Sequence, residues 1–151
     1  MSAQNLATVR RAIEEAINKG NLSVIDELVA SQYVYHEPGV GDLQGPDGLK
    51  QLITGYRNAF PDLRLTIEDQ IDGGNTVVTR WTATGTHQGE LLGIPATGRR
   101  VSVTGIIIAR MEGGKIAEEW ENYDALGMLQ QLGVAQTGGQ AASARASTPN
   151  R

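Results

Sequence analysis

Residues 113–124 read GGKIAEEWENYD and combine a glycine turn, a strand and the start of a helix. Gly113 and Gly114 favour a tight turn, and a short closing helix up to Gly133 follows the segment. Residues 118–124 of this segment contain three glutamates, one tryptophan and one aspartate. A strand that serves only for packing has no need of so many carboxylates. We therefore expect a mostly apolar pocket beside this strand, with one of its carboxylates as proton carrier.

Hydrophobic periodicity divides the rest of the chain into helices followed by strands. Apolar residues at helical spacing predict about three helices within residues 1–60. From Leu63 onward apolar and polar residues alternate, which predicts an antiparallel meander. Its four main strands are expected at residues 63–71, 76–87 and 101–111 and in the segment after Gly114. One short earlier strand is expected at residues 33–36. Residues 39–45 and 88–100 are rich in turn formers and are expected to be loops.

The order of these elements, with helices first and strands later, predicts the α+β class. A strongly curved sheet buries only one face against the helices, so the expected shape is a cone with a hollow mouth, and such mouths hold ligands. A chain of 151 residues suits one domain with one core. We predict this domain at residues 1–135. Residues 136–151 contain almost no large apolar group, which predicts a flexible C-terminal tail.

Charge and composition argue against several classes of function. A net charge of −4 and a pI near 5.1 argue against a nucleic-acid partner and against docking on an anionic membrane. No apolar run approaches the roughly 20 residues of a spanning helix, and the charged N-terminus does not resemble a signal peptide, so we expect a cytoplasmic protein. The absence of cysteine removes thiolate chemistry, and two distant histidines argue against a dedicated metal site. We expect neither a metal nor another cofactor.

Six short motifs lie within residues 35–133. They are YxEP from Tyr35, FPDL at 60–63, GTHQG at 85–89, PATGRR at 95–100, GKI at 114–116 continuing through Trp120 to Asp124, and QLG at 131–133. This set resembles the SnoaL-like polyketide cyclase family, and the resemblance covers about residues 5–134. The resemblance implies the cone-shaped α+β barrel of nuclear transport factor 2 and ketosteroid isomerase. It also implies ring closure by an intramolecular aldol step, without metal or cofactor, in which one strand aspartate serves as acid and base.

Alignment on the Gly-Lys-Ile turn and the Gln-Leu-Gly end shows where this chain departs from the family. The catalytic aspartate corresponds to Glu121, which places the carboxylate one methylene further out. A misplacement of about 1 Å can cost roughly 100-fold in rate. The family's polar helpers on the preceding strand correspond to Gly105 and Ile107, whose side chains cannot donate a proton. The resemblance therefore bears more on the fold than on the cyclase reaction.

Glu121 is the first candidate for catalysis. A carboxylate that faces an apolar pocket has a raised pKa, which makes it a better base near neutrality. Strand alternation places Glu119 on the same face as Glu121, as a second pocket residue, whereas Glu118 and Trp120 share the opposite face. Both faces are partly acidic, so alternation alone leaves open which one borders the pocket. The alternative is that Glu121 is a solvated residue on an exposed face.

His87 and Asp124 are further candidates for the acid–base machinery. His87 lies six residues after Trp81, so both side chains are expected on one face of a strand, where they could line the mouth. A histidine titrates near neutrality and can pair with a carboxylate. Trp81 is a candidate for substrate binding, although it could equally be a core residue. Asp124 directly precedes the last helix, so N-capping of that helix competes with a catalytic role.

The remaining candidates for substrate binding are His36, Tyr35 and Ile107. His36 and Tyr35 precede a turn and could form a second wall of the mouth, with the tyrosine hydroxyl as donor. The alternative for His36 is a loop residue bonded to backbone. Ile107 lies on the strand before Glu121, at a position where the family has a polar helper.

Two classes of function compete for this pocket. One is an acid–base enzyme of the cyclase or isomerase type that acts on an apolar, carbonyl-bearing small molecule; the other is a non-catalytic module that binds such a molecule. In a variant of the first, the base is Glu37 before Pro38, as in ketosteroid isomerase, but the first helix lacks that enzyme's tyrosine.

The strand at 101–111 is apolar on both faces, which suggests burial on both sides and predicts a homodimer or homotetramer through the sheet.

Overall fold

The structure is a computed structural model that describes residues 2–134, and it confirms the α+β class. The predicted tail at 136–151 lies outside the described residues. The α-helices are Ser2–Arg11 (α1), Ser23–Leu28 (α2), Gly45–Ala59 (α3) and Ala125–Gln131 (α4), and α1 continues as a π-helical segment, Ala12–Asn18. The strands are Val29–Glu37 (β1), Gly41–Gln44 (β2), Arg64–Asp72 (β3), Thr76–Thr86 (β4), Arg100–Glu112 (β5) and Lys115–Tyr123 (β6).

The strands form one curved sheet in the order β2-β1-β6-β5-β4-β3. From β3 to β6 the neighbours pair antiparallel, as the alternating pattern predicts. β1 instead pairs parallel with β6, so the prediction of a wholly antiparallel sheet is wrong at this edge. The reason is that β1 and β6 are far apart in the sequence, and no hairpin dictates their relative direction.

The edge formed by β1 and β2 contains more strand than the sequence predicts. β1 has nine residues rather than the expected four, and β2 lies where the pattern predicts a loop. Gly41 has a φ of 79°, a left-handed conformation that glycine adopts without strain, and it lets Leu43 pair back with Tyr35. A strand of four residues with one apolar side chain is too short to carry a periodic signal.

A glycine turn and a bulge just after it together set which side chains of β6 face inward. Gly113 and Gly114 have φ values of 59° and 79°, and positive φ at both positions is what a type I′ hairpin turn requires. β5 and β6 pair from the residues that flank this turn, and one extra residue of β6, between Ile116 and Glu118, then shifts the register. Because alternate side chains of a strand point to opposite faces, Glu119 and Glu121 face the concave side and Glu118 faces outward.

The concave face of the sheet packs against the helices in two clusters. The larger cluster joins α1, its π-helical continuation, α2 and α3 to the middle of the sheet, and its buried members include Val9, Ile25, Tyr33, Val77 and Ile116. The smaller cluster closes one end with side chains such as Phe60, Leu91, Val101 and Met128. Within residues 2–134, no helix has the length and apolar character needed to cross a membrane.

Candidate active site

A hollow lies between the helices and the concave face of the sheet. Its volume is about 140 Å³. Aliphatic and aromatic side chains form most of its wall, and within residues 2–134 the carboxylates that line it are Glu119 and Glu121. An apolar cavity with a few convergent polar groups is the usual form of a small-molecule site.

Glu121 has the properties of a proton carrier. The Tyr35 hydroxyl donates a hydrogen bond of 2.6 Å to its Oε1. Burial raises the pKa of Glu121 to about 7; the Tyr35 hydrogen bond opposes this rise, and the nearby charge of Glu37 adds to it. Glu121 is set deep in the protein but keeps some accessible surface because it faces the hollow. A carboxyl group with a pKa near neutrality can both take and return a proton.

Glu119 forms a second pair of the same kind, two residues earlier on β6. The Tyr33 hydroxyl donates a hydrogen bond of 2.6 Å to Glu119 Oε1, and both residues are buried. Burial raises the pKa of Glu119 to about 7, the Tyr33 hydrogen bond opposes the rise, and the charge of Glu121 adds to it. The equal spacing on both strands repeats one tyrosine–glutamate pair, and the pair of Tyr35 with Glu121 is the more exposed of the two.

Two further tyrosines and one further carboxylate modify this environment. Tyr56 of α3 and Tyr123 at the end of β6 line the hollow, and burial raises the pKa of each phenol. Glu37, the alternative base before Pro38, is buried, but its Oε2 accepts a hydrogen bond of 2.7 Å from the backbone N–H of Val40. Glu37 does not line the hollow and acts on it through its charge.

Five of the eight side chains that the sequence singles out line the hollow together. They are Tyr35, Trp81, Ile107, Glu119 and Glu121. Strand pairing brings them there, because Ile107 pairs with Glu121 across β5 and β6, and Tyr35 pairs with Glu119 across β1 and β6. Two carboxylates, a phenol and an indole therefore share one small volume.

His36 lies on the outer face of the sheet rather than in a second wall of the mouth. It follows Tyr35 along β1, so its side chain points the opposite way. Its Nε2 lies 2.7 Å from Glu118 and its Nδ1 lies 2.8 Å from Asp42, and its ring stacks on Trp120 at a centroid distance of 5.4 Å. The hydrogen bonds to these two carboxylates raise the pKa of His36. We propose no role in substrate binding for it.

His87 and Asp124 also lie outside the hollow. β4 ends at the residue before His87, and the backbone of His87 hydrogen-bonds instead with the loop that precedes β5. The His87 side chain is fully buried, with its Nδ1 accepting a hydrogen bond of 3.2 Å from the backbone N–H of Thr97 and its ring 5.5 Å from that of Phe60. Asp124 caps α4 by accepting a hydrogen bond of 2.9 Å from Gly127 N–H. We propose no catalytic role for either.

Tyr123 lines the hollow but is not among the residues that the sequence singles out. It has the same parity on β6 as Glu119 and Glu121, and this parity was a sufficient signal. Tyr56 lies on the apolar stripe of α3, a pattern that favours the core, yet its phenol borders the hollow, because such a stripe also faces a cavity when one lies beneath it. Within residues 2–134, no group of three histidine, aspartate or glutamate side chains could hold a metal ion.

Both the sequence and the fold have known relatives. A sequence model of the SnoaL-like polyketide cyclases matches residues 7–132. The aklanonic acid methyl ester cyclase DnrD of Streptomyces peucetius is 33% identical over 139 residues, which cover 88% of this chain and 92% of that protein. The structure of TsrD from Streptomyces laurentii is 35% identical, with a TM-score of 0.76 over 85% of this chain and 96% of its own. A SnoaL-like protein from Jannaschia sp. CCS1 has a TM-score of 0.82 over 90% and 95% of the two chains, and its 22% identity shows the fold alone.

Proposed function

Because the chain belongs to the SnoaL-like polyketide cyclase family, we propose that it closes a ring in an apolar, carbonyl-bearing small molecule by an intramolecular aldol step. The observation that carries this proposal is the Glu121 carboxylate, which faces an apolar hollow with a pKa raised to about 7. At neutral pH a substantial fraction of this group is ionised and can act as a base.

Glu121 serves as base and then as acid in the proposed step. The carboxylate takes a proton from a carbon next to a carbonyl group, and the electron pair of that C–H bond forms the enolate. The enolate carbon attacks a second carbonyl carbon of the same molecule, which forms the new C–C bond and moves an electron pair to the second oxygen. That oxygen takes the proton back from Glu121. The product is an isomer of the substrate, and the carboxylate is regenerated.

The lining of the hollow favours a neutral substrate. Two carboxylates face it, and among residues 2–134 no lysine or arginine does. A free carboxylate on the substrate would lose water and gain a like charge nearby, whereas a methyl ester avoids both costs. The relative DnrD is named for a methyl ester substrate. We therefore propose a neutral carbonyl compound, such as a methyl ester, as the substrate class.

The test is incubation of the purified protein with aklanonic acid methyl ester, followed by chromatography and mass spectrometry of the products. We expect a new species of unchanged mass from the wild-type protein and none from Glu121→Gln. Thermal unfolding and ligand-induced stabilisation show whether the variant still folds and binds. An active Glu121→Gln variant contradicts the proposed role of Glu121.

A non-catalytic binding module is the second candidate. Its support is that the strand before Glu121 carries Gly105 and Ile107 where the family has polar helpers. Under this function the wild-type protein is stabilised by apolar carbonyl compounds but converts none of them. Glu121→Gln then leaves binding unchanged and removes no turnover.

We also propose that the outer face of the sheet pairs with a second copy of the chain. Ile106, Ile108 and Trp120 are exposed large apolar side chains on this face, at 48%, 40% and 40%, and Ile108 pairs directly with Trp120. Contiguous exposed apolar side chains commonly mark interfaces. Light scattering at micromolar concentration is expected to give twice or four times the monomer mass, and Ile106→Glu is expected to reduce it. A monomeric wild-type protein contradicts this.

A further inference from the structure

The indole of Trp81 fills the space that a side chain at position 105 would need. Trp81 on β4 pairs directly with Gly105 on β5. A Cβ atom placed on Gly105 would overlap Trp81 Cζ2 and would lie 2.6 Å from Cε2. The glycine therefore leaves room for the Trp81 ring. The ring occupies the position at which the family has a polar helper.

The indole N–H of Trp81 is a buried donor that lacks a partner. Trp81 is 6% exposed, and its Nε1 has no hydrogen-bond partner among residues 2–134. Buried donors are almost always satisfied, and an unsatisfied one is costly, so each calls for an explanation. Since Trp81 lines the hollow, a ligand there can supply the missing acceptor.

The indole N–H lies near the carboxylate of the proposed base. It favours the ionised form of Glu121, although it does not meet the geometry of a hydrogen bond with it. Tyr35 already donates to Glu121, and Tyr33 already donates to Glu119. The N–H of Trp81 is therefore an uncommitted donor on this part of the wall. An indole N–H donates but does not accept, so it suits an oxyanion and cannot serve as the base.

We propose that Trp81 Nε1–H donates a hydrogen bond to the substrate carbonyl oxygen that becomes the enolate oxygen. This inference rests on the proposed aldol function. When Glu121 removes the neighbouring proton, the electron pair of the C–H bond forms the enolate double bond, and the carbonyl π pair moves onto the oxygen that Trp81 faces. No proton leaves the indole. The negative charge passes from Glu121 to an oxygen held by a fixed donor, which is the usual means of stabilising such an intermediate.

The kinetic test compares Trp81→Phe with Trp120→Phe, using aklanonic acid methyl ester. Trp81→Phe keeps an aromatic ring over Gly105 but removes the N–H, and we expect kcat to fall roughly 100-fold with little change in KM, since one oxyanion donor typically contributes that much. Trp120→Phe on the outer face is expected to leave kcat unchanged. A kcat for Trp81→Phe within about threefold of the wild type, while Glu121→Gln is inactive, overturns the role of Trp81 but not that of Glu121.

The pH profile separates oxyanion stabilisation from tuning of Glu121. If Trp81 only favours ionisation of Glu121, the activity of Trp81→Phe returns to the wild-type level on a high-pH plateau. We expect the loss to persist on that plateau. Tyr123→Phe is assayed in parallel, since its ring lies 6.5 Å from that of Trp81 and it is the competing donor. A larger loss in Tyr123→Phe than in Trp81→Phe assigns the oxyanion to the tyrosine and overturns the proposal.

A binding experiment tests the donor without turnover. 2-Naphthol carries an oxygen acceptor and naphthalene does not, and both can be titrated against the wild type and Trp81→Phe. We expect the substitution to weaken 2-naphthol on the order of tenfold and to leave naphthalene unchanged, because it removes one hydrogen bond. Equal losses for both ligands indicate packing alone and overturn the proposal. If Trp81→Phe does not fold, replacement of Trp81 by its benzothienyl analogue, in which sulfur replaces the N–H, serves the same comparison.

Discussion

Glutamates on the two faces of β6 have pKa values shifted in opposite directions. On the outer face, Glu118 lies 2.7 Å from His36 and 3.2 Å from Arg110, and the His36 hydrogen bond is the largest cause of its lowered pKa. On the concave face, its neighbour Glu119 and then Glu121 have pKa values raised to about 7 by burial. Adjacent positions in the sequence thus differ in proton affinity because of what surrounds them.

The comparison teaches that composition does not identify an acid–base group. Three glutamates stand within four residues, and any of them could have been solvated. The outer carboxylate gains cationic partners and stays ionised, whereas the inner ones lose water and gain neutral phenol donors, Tyr33 and Tyr35. Only the second environment yields a group that exchanges a proton near pH 7.

The largest expected difference between the two faces is in turnover. Glu121→Gln removes the proposed base, and we expect kcat to fall by roughly 100- to 10,000-fold, the usual contribution of a general base. The matched control is Glu118→Gln, the same substitution on the outer face, which is expected to leave kcat within about twofold. Both are measured with aklanonic acid methyl ester at pH 8. Equal losses in the two variants would remove the distinction between the faces.

The next difference concerns the pH dependence of stability. Glu119 and Glu121 have folded-state pKa values above the ordinary 4.5, so the native protein holds protons that the unfolded chain releases. The free energy of unfolding contributed by these groups is therefore largest below about pH 4.5 and falls as the pH rises through about 7. Glu119→Gln is expected to reduce the fall between pH 5 and 8 by up to about 3 kcal/mol, as followed by urea unfolding. Glu68→Gln on the exposed side of β3 should not change it.

A smaller effect is expected from removing the inner partner of a carboxylate. Tyr33→Phe deprives buried Glu119 of its hydrogen-bond donor while keeping the ring. We expect the free energy of unfolding at pH 7 to fall by about 1–3 kcal/mol, the cost of an unsatisfied buried polar group. Chemical denaturation measures it. A loss below about 0.5 kcal/mol would indicate that Glu119 finds another donor or remains protonated.

The smallest effect is expected from removing the outer partner. His36 has a raised pKa, so its contribution to stability is present below the ordinary value of 6.5 and is lost as the pH rises through the folded value. His36→Asn is therefore expected to cost less than about 1 kcal/mol at pH 5.5 and nothing measurable at pH 9, as for other exposed ion pairs. Thermal unfolding at the two pH values checks this. A cost as large as that of Tyr33→Phe would contradict the contrast between the faces.

Local patterns in the sequence predict those parts of the fold that neighbouring residues determine. The turn at Gly113 and Gly114, the long strands beside it and the cap at Asp124 each depend on a few adjacent residues. Strand parity likewise groups Glu119 with Glu121. It does not choose the inner face, because that depends on which side the helices cover.

The remaining features depend on contacts between distant segments. The pairing of β1 with β6 brings Tyr33 and Tyr35 to Glu119 and Glu121, and no local signal sets the direction or register of that pairing. The placement of His87 likewise depends on a loop that folds back onto it. The close contact between Gly105 and the Trp81 ring is visible only once β4 and β5 are aligned. In the sequence alone, Gly105 indicates the loss of a functional side chain, whereas in the structure the Trp81 ring occupies the space of that side chain.

The two-residue turn at Gly113 and Gly114 makes the interior chemistry sensitive to chain length. A single residue inserted between this turn and Glu118 would shift β6 by one position against β5, and each of its side chains would change sides. Glu118 and Trp120 would then project into the hollow, and Glu119 and Glu121 would face the solvent. The inward direction of these two glutamates therefore depends on the number of residues between the turn and Glu118, including the extra residue of the bulge.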